Sequence, residues 1–225
     1  MPETPRNIRR REVAAGIVFL FASFAFLASL LMDFNFVSPY STMGEDLSYL
    51  AEHSQNQALS SLAWLSAGGF TLLSLPLYLW VFRRHQRFLP FINGLFLLGA
   101  AAGFLWMGKL GLDMHRGLLL WPEQGVEFLD ETTRLHLFEQ YHEFQWYRAV
   151  SGSGIGAFVF LLGWSRIRIK GFPAFSVPLM ILAGPALIFF NWYDPDHLGK
   201  TVAMAGVLLA VVVLSVRMIN KGLGG

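Results

Sequence analysis

Gly108-Lys109-Leu110-Gly111-Leu112-Asp113-Met114-His115-Arg116 closes one hydrophobic run. Leu135-His136-Leu137-Phe138-Glu139-Gln140-Tyr141-His142-Glu143-Phe144-Gln145-Trp146-Tyr147-Arg148 leads into the next. Together they frame Met107–Val150, the one long segment that is neither a clear membrane span nor a short connector. It carries three of the six histidines and seven of the fifteen acids, so a site on this chain is expected there first. The segment is either a soluble insertion or a helical cap on a membrane bundle. The runs on either side decide for the cap.

The chain is 54% hydrophobic and 14% charged, with 21 Phe, a balance that leaves too little polar surface for a soluble domain of 225 residues. A spanning helix needs about 20 mostly apolar residues. Six runs answer to this, at 13–32, 61–81, 89–107, 149–164, 173–191 and 201–216. The fourth is short and is expected to begin earlier, inside the cap. Backbone in lipid must satisfy its own hydrogen bonds, so each run is read as helix. The fold class expected is all-α: a polytopic membrane protein with six transmembrane helices in one domain, 1–225. An outer amphipathic connector follows helix 1, and a helical outer cap joins helices 3 and 4.

Charge sorts by side. Arg6, Arg9, Arg10, Arg11, Arg83, Arg84, Arg87, Arg166, Arg168, Lys170, Arg217 and Lys221 occupy the termini and alternate loops. Against these twelve stand only Glu3 and Glu12, a net of +10. The opposite loops set five basic residues against thirteen acids, a net of −8. Basic loops stay cytoplasmic. The expected location is a bacterial plasma membrane, multi-pass, with both termini cytoplasmic. The basic charge is therefore an orientation signal, and no nucleic-acid partner is expected. The partners implied are the lipid bilayer and membrane protein subunits. The run 13–32 is longer than a signal-peptide core and no small-x-small cleavage site follows it, so it reads as a retained span. Trp80 and Trp164 fall at inner ends, and Trp64, Trp106, Trp146 and Trp192 at outer ends, where amphipathic rings favour the headgroup level.

In the first outer loop, Thr42 with Glu45 and Asp46 suits the start of a short amphipathic helix. Small residues predict the packing. Gly99 with Gly103, and Gly152 with Gly156, form small-x-x-x-small pairs, which let helix backbones approach in lipid. Spans three and four are expected to cross there. Pro173, Pro178 and Pro185 predict a bent or partly unwound fifth span, the one feature that favours a transporter.

Chemistry is sparse. There is no cysteine, which removes thiolate ligands, iron–sulfur clusters and disulfides. No ionisable residue lies near the middle of a span, which argues against proton relays and facing haem histidines. Five of the six histidines fall on the outer side. Asp113 and His115 end span three, Glu139 and His142 stand at i, i+3 on the cap helix, and His197 lies in the last outer turn. Carboxylate plus imidazole at i, i+3 is a half-site of di-metal bundles, and nitrogen/oxygen ligands suit zinc, copper or iron. Only one Glu-x-x-His is present, so an acidic solvated surface explains the same residues more simply. Leu135, Phe138, His142, Trp146 and Ala149 near helical spacing would turn His142 toward the bundle.

Leu77-Tyr78-Leu79-Trp80 before Arg83-Arg84, and Gly163-Trp164 through Arg166 before Gly171-Phe172-Pro173, carry a resemblance at the level of topology. The chain resembles a family of six-helix bacterial integral membrane proteins with no assigned function. That resemblance implies the helix count and layout, and no substrate, cofactor or catalytic residue.

The leading expectation is a non-catalytic integral membrane protein. It would serve as an accessory or assembly subunit, or bind a lipid or small apolar ligand. The alternative is a membrane enzyme or redox component with an outer (periplasmic) metal ion held by Asp113, His115, Glu139, His142 and His197. The second alternative is a small-molecule transporter.

Overall fold

A computed structural model describes residues 5–33, 54–82, 89–119, 130–166, 176–193 and 198–223. Six helices account for nearly all of them: α1 Pro5–Asp33, α2 Ser54–Phe82, α3 Leu89–Leu118, α4 Glu131–Arg166, α5 Ser176–Tyr193 and α6 Leu198–Leu223. Among the described residues there is no strand. Five helices are long and apolar enough to cross a membrane, over Asn7–Ser29, Gln55–Trp80, Leu89–Gly117, Ser176–Tyr193 and Gly199–Asn220. The exception is α4, at 36 residues the longest. Its first half carries Glu131, Arg134, Glu139, Glu143 and Arg148, so only its second half is strongly apolar.

Each helix packs on its neighbours in sequence, and α6 returns to α1, which closes a ring. Named contacts fix the directions. Gly16 of α1 meets Ser215 and Ile219 of α6; Phe26 and Phe21 of α1 meet Trp64 and Phe70 of α2. Gly94 and Gly108 of α3 meet Leu79 and Leu65 of α2. Gly103 and Gly117 of α3 meet Ser151 and Leu137 of α4. In every pair a residue early in one helix meets one late in the other, so the neighbours run antiparallel. The start of α1 and the end of α6 therefore share one end of the bundle.

Outward faces carry large apolar side chains, among them Phe21, Phe24, Leu73, Phe91, Leu95, Leu182 and Leu209. In water such a surface would be an aggregation hazard; it is compatible with contact to a bilayer. Five buried serine hydroxyls are satisfied within their own helices. Ser23, Ser61 and Ser215 donate to carbonyls four residues earlier, and Ser29 and Ser74 to carbonyls three residues earlier.

The cap is helical where it is described: α3 continues to Leu118 and α4 begins at Glu131. Asp130 caps α4, its Oδ2 accepting from the Thr133 amide at 3.1 Å. Hydrogen bonds from the Thr133 side chain and amide hold the Asp130 carboxyl below the usual carboxylate range. The expected helix at Thr42 and the connector at 83–88 lie outside the described residues.

Several expectations are corrected. α2 starts at Ser54 rather than near 61, because Gln57, Ser60 and Ser61 are buried, and Ser61 packs against Gly108 and Gly111 of α3. α5 is helical throughout Ser176–Tyr193, so it is not unwound at Pro178 or Pro185, and Pro173 lies outside the described residues. Trp64 does not reach an outer face; it is 1% exposed, because α1 and α3 close over it. The small-residue pairs divide between partners. Gly103 and Gly154 serve the α3–α4 crossing, Gly152 and Gly156 lie against α5, and a Cβ on Gly99 would touch nothing within 4 Å.

Candidate ligand cavity and polar cluster

Phe19 and Phe26 stand seven residues apart on α1, hence on one face and about 10 Å apart along the axis. Each belongs to an aromatic triad. Phe19 stacks on Phe158 of α4 at 6.2 Å and meets Tyr78 of α2 edge-on at 6.4 Å. Tyr78 and Phe158 close this triad at 5.3 Å. Phe26 meets Trp64 of α2 at 5.8 Å and Phe104 of α3 at 5.5 Å, and Trp64 stacks on Phe104 at 5.2 Å. Offset and edge-on rings at these spacings add to simple burial.

Between the triads α1 presents only Ala22 and Ser23, and a cavity of about 40 Å³ remains. Its walls come from α1, α2, α3, α4 and α6, including Thr71, Ser74, Leu97, Ile155 and Val207. A water molecule needs roughly 10–15 Å³ of such space and two to four polar partners. Room is ample, but polar partners are scarce. Ser23 donates to the Phe19 carbonyl at 2.8 Å and Ser74 to the Thr71 carbonyl at 2.6 Å. No ionisable residue lines the space. The chemistry on offer is apolar contact and ring faces, which suits a small apolar molecule or a hydrocarbon chain end.

Of the residues singled out from sequence, Asp113 and His115 lie on the last turns of α3, and Glu139 and His142 on the first half of α4. Gly117 packs on Leu137, which brings these segments to one level of the bundle. Asp113 pairs with Arg116 at 3.5 Å. His115 is half-buried, with its Nδ1 covered and without a partner. Glu139 and His142 are exposed. The inward stripe of α4 is Leu137, Phe144 and Ser151, so His142 does not turn toward the bundle as its neighbours' spacing suggested. His197 lies outside the described residues. Among the described residues no three His, Asp or Glu side chains are grouped so as to hold a metal ion.

Sequence reasoning passed over the cavity. The available signal was the heptad-spaced pair Phe19 and Phe26 with small residues between them, a pattern that equally describes ordinary core packing. Comparison with known proteins gives no match: no family model, no curated protein and no solved structure is similar to this chain.

Proposed function

We propose that this chain is a non-catalytic integral membrane protein that binds a small apolar molecule, or the end of a lipid chain, between its two aromatic triads. The observation that carries this reading is the cavity of about 40 Å³ in a five-helix wall without an ionisable group. An apolar occupant gains dispersion contacts with the rings of Phe19, Phe26, Phe104 and Phe158 and displaces no well-bound water. An accessory role in a membrane complex follows naturally for a protein whose interior offers binding without reactive groups. All six helices cross the bilayer in this reading, with the polar first half of α4 standing outside it. The basic residues at both termini and on alternate loops support a bacterial plasma membrane with cytoplasmic termini.

Xenon is a suitable probe because it is apolar, compact and needs no polar contact. Crystals of the protein held under xenon are expected to show one site between Phe26 and Phe158. Ala22→Leu, which grows a side chain into the cavity, is expected to abolish it. A wild-type cavity that takes up no xenon would overturn the proposal.

A further inference from the structure

Ser23 of α1 and Thr71 and Ser74 of α2 bring hydroxyl groups to the wall of the apolar cavity. Two of the three have already committed their hydrogens. Ser23 donates to the Phe19 carbonyl and Ser74 to the Thr71 carbonyl. Ser29, Ser61 and Ser215 follow the same habit elsewhere in the bundle. Thr71 departs from it. It is 5% exposed, its hydroxyl makes no hydrogen bond to the described residues, and its Oγ1 is not one of the polar atoms that packing seals off. The space open to Thr71 is the cavity. A buried threonine in a helix can return its hydrogen to a carbonyl one turn earlier. An O–H left over beside a cavity is instead a donor available to an occupant.

The hydroxyls lie on one side of the space. Thr71 and Ser74 stand three residues apart, hence on one face of α2. Phe19 meets Tyr78 and Phe26 meets Trp64, so antiparallel α1 brings Ser23 to the level of Thr71. The lining from α3, α4 and α6 is apolar, with Leu97, Phe104, Ile155, Phe158, Val207 and Leu208. The cavity is therefore two-sided, hydrocarbon over three helices and hydroxyl-bearing along the seam of α1 and α2.

We propose that the occupant of this cavity is an apolar molecule bearing one neutral acceptor oxygen, a carbonyl or a hydroxyl, which accepts from the Thr71 O–H. This rests on the reading of the cavity as a ligand site and adds what the ligand must carry. Its hydrocarbon body lies against the α3, α4 and α6 walls. A hydrogen bond counts for more here than in water, because the surroundings are of low dielectric and few groups compete for it. An occupant hydroxyl also has a hydrogen to give, and the Ser23 and Ser74 oxygens retain lone pairs to accept it. An alkane fills the same space and leaves Thr71 unpartnered. A carboxylate is disfavoured, because no charged side chain lines the space to offset its desolvation.

The test titrates the full chain in neutral detergent micelles with cyclopentane, cyclopentanone and cyclopentanecarboxylate. Thr71→Val keeps the shape of the side chain and removes the hydroxyl. In that variant the affinity for cyclopentanone relative to cyclopentane is expected to fall about fivefold from its wild-type value. Cyclopentane itself should bind as tightly as before, and the carboxylate more weakly than the ketone in both proteins. The stability of the unliganded variant should be unchanged or raised, because the hydroxyl has no bond to lose. A destabilised or unfolded Thr71→Val would show that the hydroxyl has a structural partner and would overturn the proposal. So would a crystal structure with cyclopentanone in the cavity and its oxygen turned away from Thr71. Xenon uptake combined with a ketone-to-alkane ratio that Thr71→Val leaves unchanged would overturn this inference alone, whereas absence of xenon uptake removes the cavity reading and this inference together.

Discussion

Gly156 of α4 and Gly184 of α5 face each other so closely that a Cβ on either would stand 2.5–2.6 Å from the other's carbonyl oxygen. This contact sets the distance between the two helices. Neither backbone can yield without moving its whole helix, because the obstacle is a carbonyl rather than a flexible side chain. Gly184→Ala is therefore expected to lower stability by about 1–3 kcal/mol, as overpacking does. Gly99→Ala is the contrast, since nothing lies within 4 Å of that position. It should be neutral or gain about 0.5–1 kcal/mol from restricted backbone freedom. Unfolding in mixed micelles measures both, and equal losses at the two sites would contradict the packing described.

Asn93 of α3 donates to the Tyr78 hydroxyl of α2 at 3.0 Å. Asn93 is 1% exposed and its Oδ1 already lacks a partner. Tyr78→Phe keeps the ring in its triad and removes the acceptor, leaving a buried amide donor stranded. The expected loss is about 1–3 kcal/mol. Asn93→Leu in the Tyr78→Phe background should recover part of it, because both partners are then apolar. A double-mutant cycle with no coupling between the two positions would show that the bond contributes nothing.

Asp130 caps α4, and its lowered pKa gives the pH dependence a definite sign. A carboxylate whose folded pKa is depressed stabilises the helix start above the ordinary Asp value of 3.8. That contribution is lost as pH falls through the lower, folded value. The Thr133 amide, which donates to Asp130, should report it in an NMR titration as a midpoint below 3.8. In Asp130→Ala the amides of 131–134 should exchange faster, with the rest of α4 unchanged. A Thr133 midpoint at or above 3.8 would contradict the cap.

Helix positions were legible because apolar run length is a property of each segment alone. The continuation of α3 beyond Met107 and the early start of α4 were also legible, from charged but helix-compatible residues. Partner choice was not. Gly99 and Gly103 look alike in the sequence, yet only Gly103 meets Ser151, because helical rotation turns Gly99 away from every neighbour. Trp64 reads as an interfacial residue near a helix end, and three helices converge to bury it. His142 sits on an amphipathic helix whose inward stripe lies on Leu137, Phe144 and Ser151 instead.

The sequence by itself determined an all-helical chain with six apolar runs, the fourth of them short and led by a polar segment. Hydrogen bonding within a helix and the hydropathy of a run both act over a few neighbouring residues. Only the tertiary structure decided that Phe19, Phe26, Phe104 and Phe158 line one cavity, with Trp64 and Tyr78 packed on those rings. These residues come from different helices, and their meeting depends on how each helix is rotated about its axis. That rotation is set by glycine contacts across helix pairs, which no single segment encodes.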